Sequence, residues 1–271
     1  MNARLQLDGR EVRVDLARPL DLSVELDFQG PQVRHFGAPR ASSQPYSVAD
    51  FPGSVAGGAS CNCESITLIP HCNGTHTECV GHITNERIHI IDCLKDTFIP
   101  AMLVSVEPES ARDVKETYSV NFGDSDPLIT RNVLEDRLSD LALNSAVIIR
   151  TLPNDDSKLT REYTDKIPPY FSTEAIDYIL SSGVKHLLVD TPSIDRLYDE
   201  GKLSNHRTFW GIEPGSFEIN PATRMNDTIT ELIYVPNEVE DGRYLLNLQI
   251  APFATDAAPS RPVLFRTLKT S

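Results

Sequence analysis

The stretch from Phe171 to Asp195, which reads FSTEAIDYILSSGVKHLLVDTPSID, contains the clearest helix and strand signals in the chain. Ser172 or Thr173 can cap a helix, because a side-chain hydroxyl accepts a hydrogen bond from a free amide of the first turn. Apolar residues then recur at helical spacing until Gly183, a residue type that commonly ends helices. The apolar run 184–189 follows and predicts a buried strand. This helix–strand unit predicts an α/β fold.

Strand patterns dominate the chain on both sides of this unit. Residues 5–16 alternate between apolar and polar side chains, and Asp8-Gly9 within them is a hairpin-turn signal. The short apolar runs 101–106 and 146–150 are typical of buried strands. Further strands are predicted at residues 61–69, 229–235, 244–250 and 263–268.

The remaining segments are irregular or helical. Residues 29–58 are rich in proline, glycine and serine, and a long loop of this kind often covers a site. Thr130 can cap a second helix that reaches about Leu141, and the polar residues 107–126 before it are interpreted as an exposed insertion. Because no repeat and no linker divides the sequence, we expect one β-rich α/β domain over residues 1–271.

Charge and composition exclude several classes of function. The chain has 25 Lys and Arg residues against 39 Asp and Glu, which gives a net charge of -14. We expect neither a nucleic-acid partner nor an anionic membrane surface, since both require a cationic patch. The first residues lack a signal-peptide pattern and no segment has the length of a membrane span, so we expect a cytoplasmic protein. The expected partners are a small-molecule substrate and further copies of the chain.

The cysteines are concentrated in one part of the sequence. They are Cys61, Cys63, Cys72, Cys79 and Cys93. An odd number without a C-x-x-C pair argues against a disulfide framework and against a structural zinc site. We therefore expect these side chains to be small apolar filling of a β-rich core.

The run HCNGTHTECVGH, residues 71–82, contains an unusual density of metal-competent side chains. These are His71, His76, Glu78 and His82. Glycines and β-branched residues disfavour a helix here, and in an extended segment the last three would face one side. Asn73-Gly74 predicts a bend that brings His71 to them. Imidazole and carboxylate ligands suit one or two divalent ions, with zinc and manganese as candidates, so the run predicts a metal site.

The same run resembles the signature H-x-G-T-H-x-D-x-P-x-H of the putative cyclase family, which includes kynurenine formamidases and isatin hydrolases. Residues 15–20, DLARPL, are similar to the opening D-L-S-x-P-L of that family, and residues 171–195 to its helix–strand unit. His206 and Glu231 stand where the family places a lone histidine and an acid before the final strands. The resemblance spans most of the chain and implies the swivelling β/β/α fold of the family.

The resemblance also implies a site and a reaction. His71, His76 and Glu78 would hold a first divalent ion. The residues of a second ion or of the chemistry would be Glu78, His82, His206 and Glu231. His82 or His206 would act as general acid or base, because imidazole titrates near neutral pH. The family hydrolyses amide or lactam C–N bonds, so we expect a hydrolase acting on a small N-acyl aromatic or cyclic substrate.

The chain departs from the family signature at three positions. His71 and His76 are one residue further apart than the first histidine pair of the family, Glu78 replaces an aspartate, and Val80 replaces a proline. Because glutamate is one methylene longer than aspartate, the number of ions that the site binds stays open.

Two other functions are compatible with the residues. His76 and Glu78 fit part of the two-histidine, one-carboxylate triad of non-haem iron oxygenases, and dependence on oxygen would distinguish that class. A small-molecule binding protein with an inactive site would bind an amide without turnover. The other histidines, which belong to no such cluster, are interpreted as structural: His35, His89 and His186. Polar residues at the end of the 184–189 strand are interpreted as turn formers: Asp190, Ser193 and Asp195.

Overall fold

Strands outnumber helices in the computed structural model, which describes residues 1–7, 10–138 and 145–268. In chain order the strands are β1 (Asn2–Leu7), β2 (Arg10–Asp15), β3 (Leu20–Asp21), β4 (Arg34–His35), β5 (Ser42–Pro45), β6 (Glu64–Thr67), β7 (His76–Glu78), β8 (Phe98–Val106), β9 (Glu109–Ser110), β10 (Pro127–Ile129), β11 (Ala146–Thr151), β12 (Glu162–Tyr163), β13 (Tyr170–Phe171), β14 (His186–Val189), β15 (Thr228–Glu231), β16 (Gly242–Asn247), β17 (Ala257–Pro259) and β18 (Val263–Leu268). The α-helices are α1 (Ile90–Cys93), α2 (Arg131–Glu135), α3 (Thr173–Ser181) and α4 (Ser204–Trp210).

One large sheet organises the described residues. Its order is β1-β2-β18-β16-β8-β11-β14-β15-β7-β17, and β3 pairs with β18. The strands β8, β11, β14 and β15 run parallel, while the flanking pairs are antiparallel. All six residues of β11 are buried, as expected for a parallel strand that is covered on both faces. The predicted β-rich α/β fold is confirmed.

The helix–strand unit forms as the sequence predicts. The amide of Ala175 donates a hydrogen bond of 3.1 Å to Oγ of Ser172, which caps α3. Gly183 follows the helix with φ of 80°, a left-handed conformation that glycine adopts without strain. The buried face of α3 packs with β11 and β14 in one core cluster, so the unit covers one face of the parallel strands.

Two predicted features lie partly outside the described residues. Thr130 caps α2 as expected, since its hydroxyl accepts a hydrogen bond from the amide of Val133 at 3.3 Å. The α-helix itself is only Arg131–Glu135, and residues 139–144, which include the predicted helix end, are not described. The predicted hairpin turn Asp8-Gly9 also lies outside the described residues, although β1 and β2 pair in antiparallel register around it.

The prediction that residues 107–126 form an exposed insertion holds for most of the segment, but three of its residues are buried: Ala111, Tyr118 and Asp126. Tyr118 is buried in a small apolar cluster with Tyr170, and the carboxylate of Asp126 accepts a hydrogen bond from the Tyr170 hydroxyl at 3.0 Å. The many charged residues around Tyr118 concealed this cluster in the sequence. The segment therefore supports the fold from one side, and Tyr118 reaches the site described below.

The cysteines range from buried to exposed, and Cys72 is half-buried. Cys79 and Cys93 fill the core as predicted, but that prediction is wrong for Cys61 and Cys63, which are exposed. Both exposed thiols precede β6, which pairs only with β5 in a two-stranded ribbon that leaves most of its side chains in contact with solvent. Among the described residues, no helix is long and apolar enough to cross a bilayer.

Candidate metal centre

The histidine run folds into a turn, a short strand and a 3₁₀ turn. Gly74 has φ of 85°, and the Asn73 side chain ties the turn by accepting from the amide of Ile69 at 2.8 Å. This is the bend that the Asn-Gly pair predicts. It returns the chain so that the rings of His71 and His76 meet edge to face, with centroids 5.4 Å apart.

His82 reaches the site by a route that the sequence did not indicate. The strand ends at Glu78, and residues Val80–Ile83 form a 3₁₀ turn instead of the extended segment that we expected. Gly81 allows this, because a Cβ atom at that position would lie 2.1 Å from the carbonyl oxygen of Ile88. The 3₁₀ turn places the His82 ring in a stack with His71, with centroids 4.1 Å apart.

The two downstream residues arrive on separate elements. Glu231, the last residue of β15, pairs with His76 in the antiparallel register of β15 and β7. His206 lies in the first half of α4 and is buried. The structure thus brings together all six residues that the sequence analysis selected.

Glu78 is the centre of the cluster and is completely buried. Its Oε1 atom lies 2.9 Å from Nε2 of His206, and its Oε2 atom lies 2.9 Å from Nδ1 of His71. Nε2 of His82 is also near, 4.0 Å from Oε2. One carboxylate therefore contacts two histidines from different parts of the chain.

Glu231 forms the second acidic group of the cluster. Its Oε2 atom lies 3.6 Å from Nε2 of His76, and its Oε1 atom lies 3.6 Å from Nε2 of His206. The amide of Ile194 donates a hydrogen bond of 2.9 Å to Oε1, which fixes the carboxylate. Glu231 is therefore a candidate metal ligand whose carboxylate is fixed by a backbone amide.

The outer nitrogens of the two buried histidines bind groups outside the cluster. Nδ1 of His76 lies 3.1 Å from the carbonyl oxygen of Gly74, and Nδ1 of His206 lies 2.6 Å from Oδ2 of Asp195. A carbonyl or carboxylate oxygen only accepts, so these Nδ1 atoms carry hydrogen. The Nε2 atoms of both rings consequently face the two glutamates, an arrangement typical of metal-binding histidines.

The two partly exposed histidines share one outer carboxylate. Asp256, in the loop before β17, places Oδ2 2.7 Å from Nε2 of His71 and 3.4 Å from Nδ1 of His82. The opposite nitrogen of each ring faces Glu78. All four imidazoles therefore have one nitrogen bound outside the cluster and one directed into it.

Electrostatics inside the cluster favour charged groups despite burial. Burial raises the pKa of Glu78, but the charges of His82 and His206 outweigh it and hold that pKa well below its usual range. Burial opposes charge on His206, yet Glu78 and Asp195 raise its pKa well above the usual value. For His71, hydrogen bonds to Asp256 and Glu78 overcome burial and raise the pKa to about 10. In the protein alone, protons on His71 and His206 thus balance the acids.

The residues present fit a divalent cation. Among the described residues, Nε2 of His76 and Oε2 of Glu78 are buried without a hydrogen bond of acceptable geometry, although His71 is close to the latter. Ligand atoms of His71, His76 and Glu78 lie within 4.8 Å of one another, and so do those of Glu78, His82 and His206. A third group with the same spacing is formed by His71, His82 and Asp256. Imidazole nitrogens and carboxylate oxygens in these overlapping groups form a donor set for one or two ions, which would displace the inner protons.

Sequence reasoning missed three residues of the surroundings. Asp195, interpreted above as a turn former, accepts hydrogen bonds from His206, from the amide of Asn205 at 2.8 Å and from the Tyr118 hydroxyl at 2.6 Å. Tyr118 lay in the segment taken for an exposed insertion, and Asp256 lay in a loop with no pattern. A search for acids upstream of His206 could have included Asp195, but Asp199 and Glu200 lie nearer to His206 in the sequence, and no local signal marks Asp256.

The remaining histidines divide as follows. His186 is buried and structural as predicted, with Nδ1 2.9 Å from the hydroxyl of Thr228 and Nε2 3.2 Å from Asp96. His89 also lies apart from the cluster. His35, in contrast, lines the cavity at the site, where burial lowers its pKa and favours the neutral ring.

A cavity of about 290 Å³ opens onto the cluster. His71, His82, His206 and Glu231 lie at its base. Its walls are largely apolar and include Phe36, Pro192, Leu197 and Leu203. The cavity therefore has room for a small organic molecule next to the histidines and glutamates.

The fold and the site together define a β-rich α/β protein in which a histidine–carboxylate cluster that fits a cation lines a largely apolar cavity. The sequence pattern of the Putative cyclase family matches residues 14–196, and the chain belongs to this family. The resemblance noted in the sequence is confirmed. The match includes the histidine run and Asp195, while His206, Glu231 and Asp256 follow it.

Known proteins support this assignment. The chain is similar to a kynurenine formamidase of Bacillus cytotoxicus, with 24% identity over 237 residues, 82% of this chain and 94% of that protein. Its fold is similar to a predicted metal-dependent hydrolase from Bacillus stearothermophilus, with TM-score 0.58, 16% identity and coverage of 92% and 98% of the two chains. Isatin hydrolase A from Labrenzia aggregata has TM-score 0.61, 14% identity and coverage of 92% and 93%.

Proposed function

We propose that the protein is a metal-dependent hydrolase that cleaves an amide or lactam C–N bond of a small N-acyl aromatic or cyclic substrate. One observation carries the proposal: four imidazoles direct one nitrogen each toward two buried glutamates, while their other nitrogens are bound outside the cluster. The names of its relatives, kynurenine formamidase and isatin hydrolase, agree with this reaction. The oxygenase alternative is not favoured, because cyclase-family relatives are hydrolases.

The proposed ion is zinc or manganese, with one or two per chain. His71, His76 and Glu78 would hold the first, and Glu78, His82, His206 and Glu231 would hold a second or serve the chemistry. The imidazoles suit zinc, and the share of carboxylates also suits manganese. When bound, such an ion polarises the substrate carbonyl and makes a water molecule more acidic.

The residues of the chain would orient the substrate and move protons. His82 is the candidate for proton transfer, because its ring lines the cavity, its side chain is 26% exposed, and its contact with Glu78 is the longest in the cluster. His206 is more constrained, since Asp195 fixes its Nδ1–H and Glu78 contacts its Nε2. We therefore propose that His82 donates the proton to the leaving nitrogen. His206, the second candidate for proton transfer, has a ligand or orienting role.

The walls of the cavity support an apolar substrate. Phe36 and Leu197 offer apolar surface above the cluster, and Phe36 is 67% exposed with φ of 56°, an uncommon conformation for a large residue. An aromatic or cyclic amide could place its ring against these side chains and its carbonyl at the histidines. This arrangement excludes bulk water from much of the substrate.

A hydrolysis screen tests the proposed reaction. Protein supplied with zinc or manganese is expected to hydrolyse at least one formanilide, lactam or cyclic imide, at the same rate in air and under anaerobic conditions. Product formation by liquid chromatography is the measurement, and protein treated with a chelator is the control. Turnover that needs oxygen would support the oxygenase, and tight binding of an amide without turnover would support the binding protein.

The organisation and surroundings of the protein are also proposals. We propose a single domain, because β1 and β2 from one end and β18 from the other join the same sheet. The exposed ribbon β5–β6 carries outward apolar side chains such as Ile66, which supports association of copies of the chain. Free thiols at Cys61 and Cys63 suit the reducing cytoplasm, and the net charge of -14 argues against nucleic-acid partners.

A further inference from the structure

Asp256 is an acid of the site that neither the histidine run nor the family resemblance indicated. It lies in the loop between β16 and β17, and its side chain is 37% exposed. The loop is anchored by its backbone, since the amide of Cys79 donates to the carbonyl oxygen of Asp256 at 3.0 Å. This hydrogen bond ties the loop to the residue directly after Glu78. The carboxylate is thus held beside the cluster without being part of its buried centre.

The carboxylate faces two histidines whose rings are stacked. Oδ2 accepts a hydrogen bond from Nε2 of His71 at 2.7 Å and lies 3.4 Å from Nδ1 of His82. The two rings present different nitrogens to Asp256, and in each ring the other nitrogen faces Glu78. A neutral imidazole has one N–H and one lone pair, so an acceptor on the outer side directs both lone pairs inward.

His71 is less enclosed than the two buried histidines of the cluster. It lies on the turn before β7, and its side chain is 24% exposed. His76 and His206 are buried and are held by Gly74 and Asp195, whereas His71 has no such enclosure. An anchor from another part of the chain is therefore needed to fix the orientation of the His71 ring.

We propose that Asp256 is a positioning residue that fixes the ring orientations and tautomers of His71 and His82 so that both present a nitrogen to the ion at Glu78. The inference rests on the proposed metal site. In this role Asp256 acts through the two histidines, since the nitrogens that it contacts are those that face away from Glu78. Carboxylates in this position typically change metal affinity by about 10–100-fold when they are mutated.

The test compares Asp256→Ala and Asp256→Asn with wild type by two measurements. Proton NMR of imidazole N–H groups is recorded on metal-free and zinc-loaded protein, and zinc affinity is measured by competition with a chromophoric chelator. Asp256→Ala is expected to lose the protected N–H signals of His71 and His82 and to bind zinc about 10–100-fold more weakly. Asp256→Asn keeps an oxygen acceptor, so its N–H signals and its zinc affinity are expected to lie between those of wild type and Asp256→Ala.

Two controls separate positioning from a general loss of structure. Phe253→Ala alters an exposed residue of the same loop and is expected to leave both measurements unchanged. Asp195→Asn is expected to affect the N–H signal of His206 and leave that of His71 in place. Unchanged His71 signals and zinc affinity in Asp256→Ala would overturn the inference. If wild type binds neither zinc nor manganese, the proposed function fails, and the spectra of metal-free protein still decide whether Asp256 holds His71.

Discussion

Glu78→Gln is expected to abolish most metal binding and most hydrolysis. Glu78 contacts histidines from both the signature run and α4 at 2.9 Å in each case, closer than Glu231, which lies 3.6 Å from His76 and from His206. An amide keeps the shape but loses the charge and one acceptor oxygen. Mutation of a residue that only orients a metal ligand already lowers metal affinity or activity by about 10–100-fold. Loss of the ligand Glu78 itself is therefore expected to lower kcat/KM by at least about 100-fold.

Two further variants at β7 sharpen the result. Glu78→Asp restores the residue of the family signature, but its shorter side chain cannot keep both contacts, so we expect intermediate metal affinity. Thr77→Ser is the matched control, because the Thr77 hydroxyl points to the other side of the strand and contacts Thr230 at 2.8 Å. Metal content by mass spectrometry and steady-state kinetics are the measurements. Wild-type activity in Glu78→Gln would show that the cluster is not the active site.

His82→Ala is expected to keep metal and lose rate. The ring lies 4.0 Å from Glu78 at the cavity, and His71, His76 and Glu78 supply three ligands without it. General acid–base groups contribute roughly 10²–10⁴-fold, so kcat should fall by about that factor. His82→Asn should not restore the rate, since an amide does not titrate near neutral pH.

The measurement for His82 pairs metal content with the pH dependence of the rate. His89→Ala is the control, because His89 is a partly buried histidine apart from the cluster. Loss of all metal from His82→Ala would identify the residue as a primary ligand. If His82→Ala keeps both its metal and the full rate, His206 becomes the candidate for proton transfer.

The fold could be predicted where the signal was local. The capping hydroxyl of Ser172, the helical spacing and Gly183 lie within one short stretch, and the buried strand follows directly. The short α4 was not predicted, because it begins after Leu203 in a left-handed conformation, without the usual capping side chain. Its N-terminal amides at Asn205 and His206 instead donate to Asp195, a contact that becomes visible only in three dimensions.

The residues of the site also divide into those that the sequence predicts and those that it does not. The six predicted residues could be selected because four of them lie in one contiguous run and because the family resemblance indicated His206 and Glu231. The route of His82 was not predictable from spacing, since it depends on the close approach of the Ile88 carbonyl to Gly81. Tyr118 was concealed by its charged neighbours, and Asp256 has a role only because β17 pairs with β7 and brings its loop to the histidines.

Metal titration tests the central claim most directly. Protein freed of metal by a chelator is titrated with zinc and with manganese, and the bound ions are counted by mass spectrometry. We predict one or two ions per chain in wild type, and loss of most of this metal in His76→Ala, because Nε2 of His76 is buried and has no hydrogen-bond partner among the described residues. Wild-type protein that carries no metal on purification and takes up neither zinc nor manganese would contradict the account.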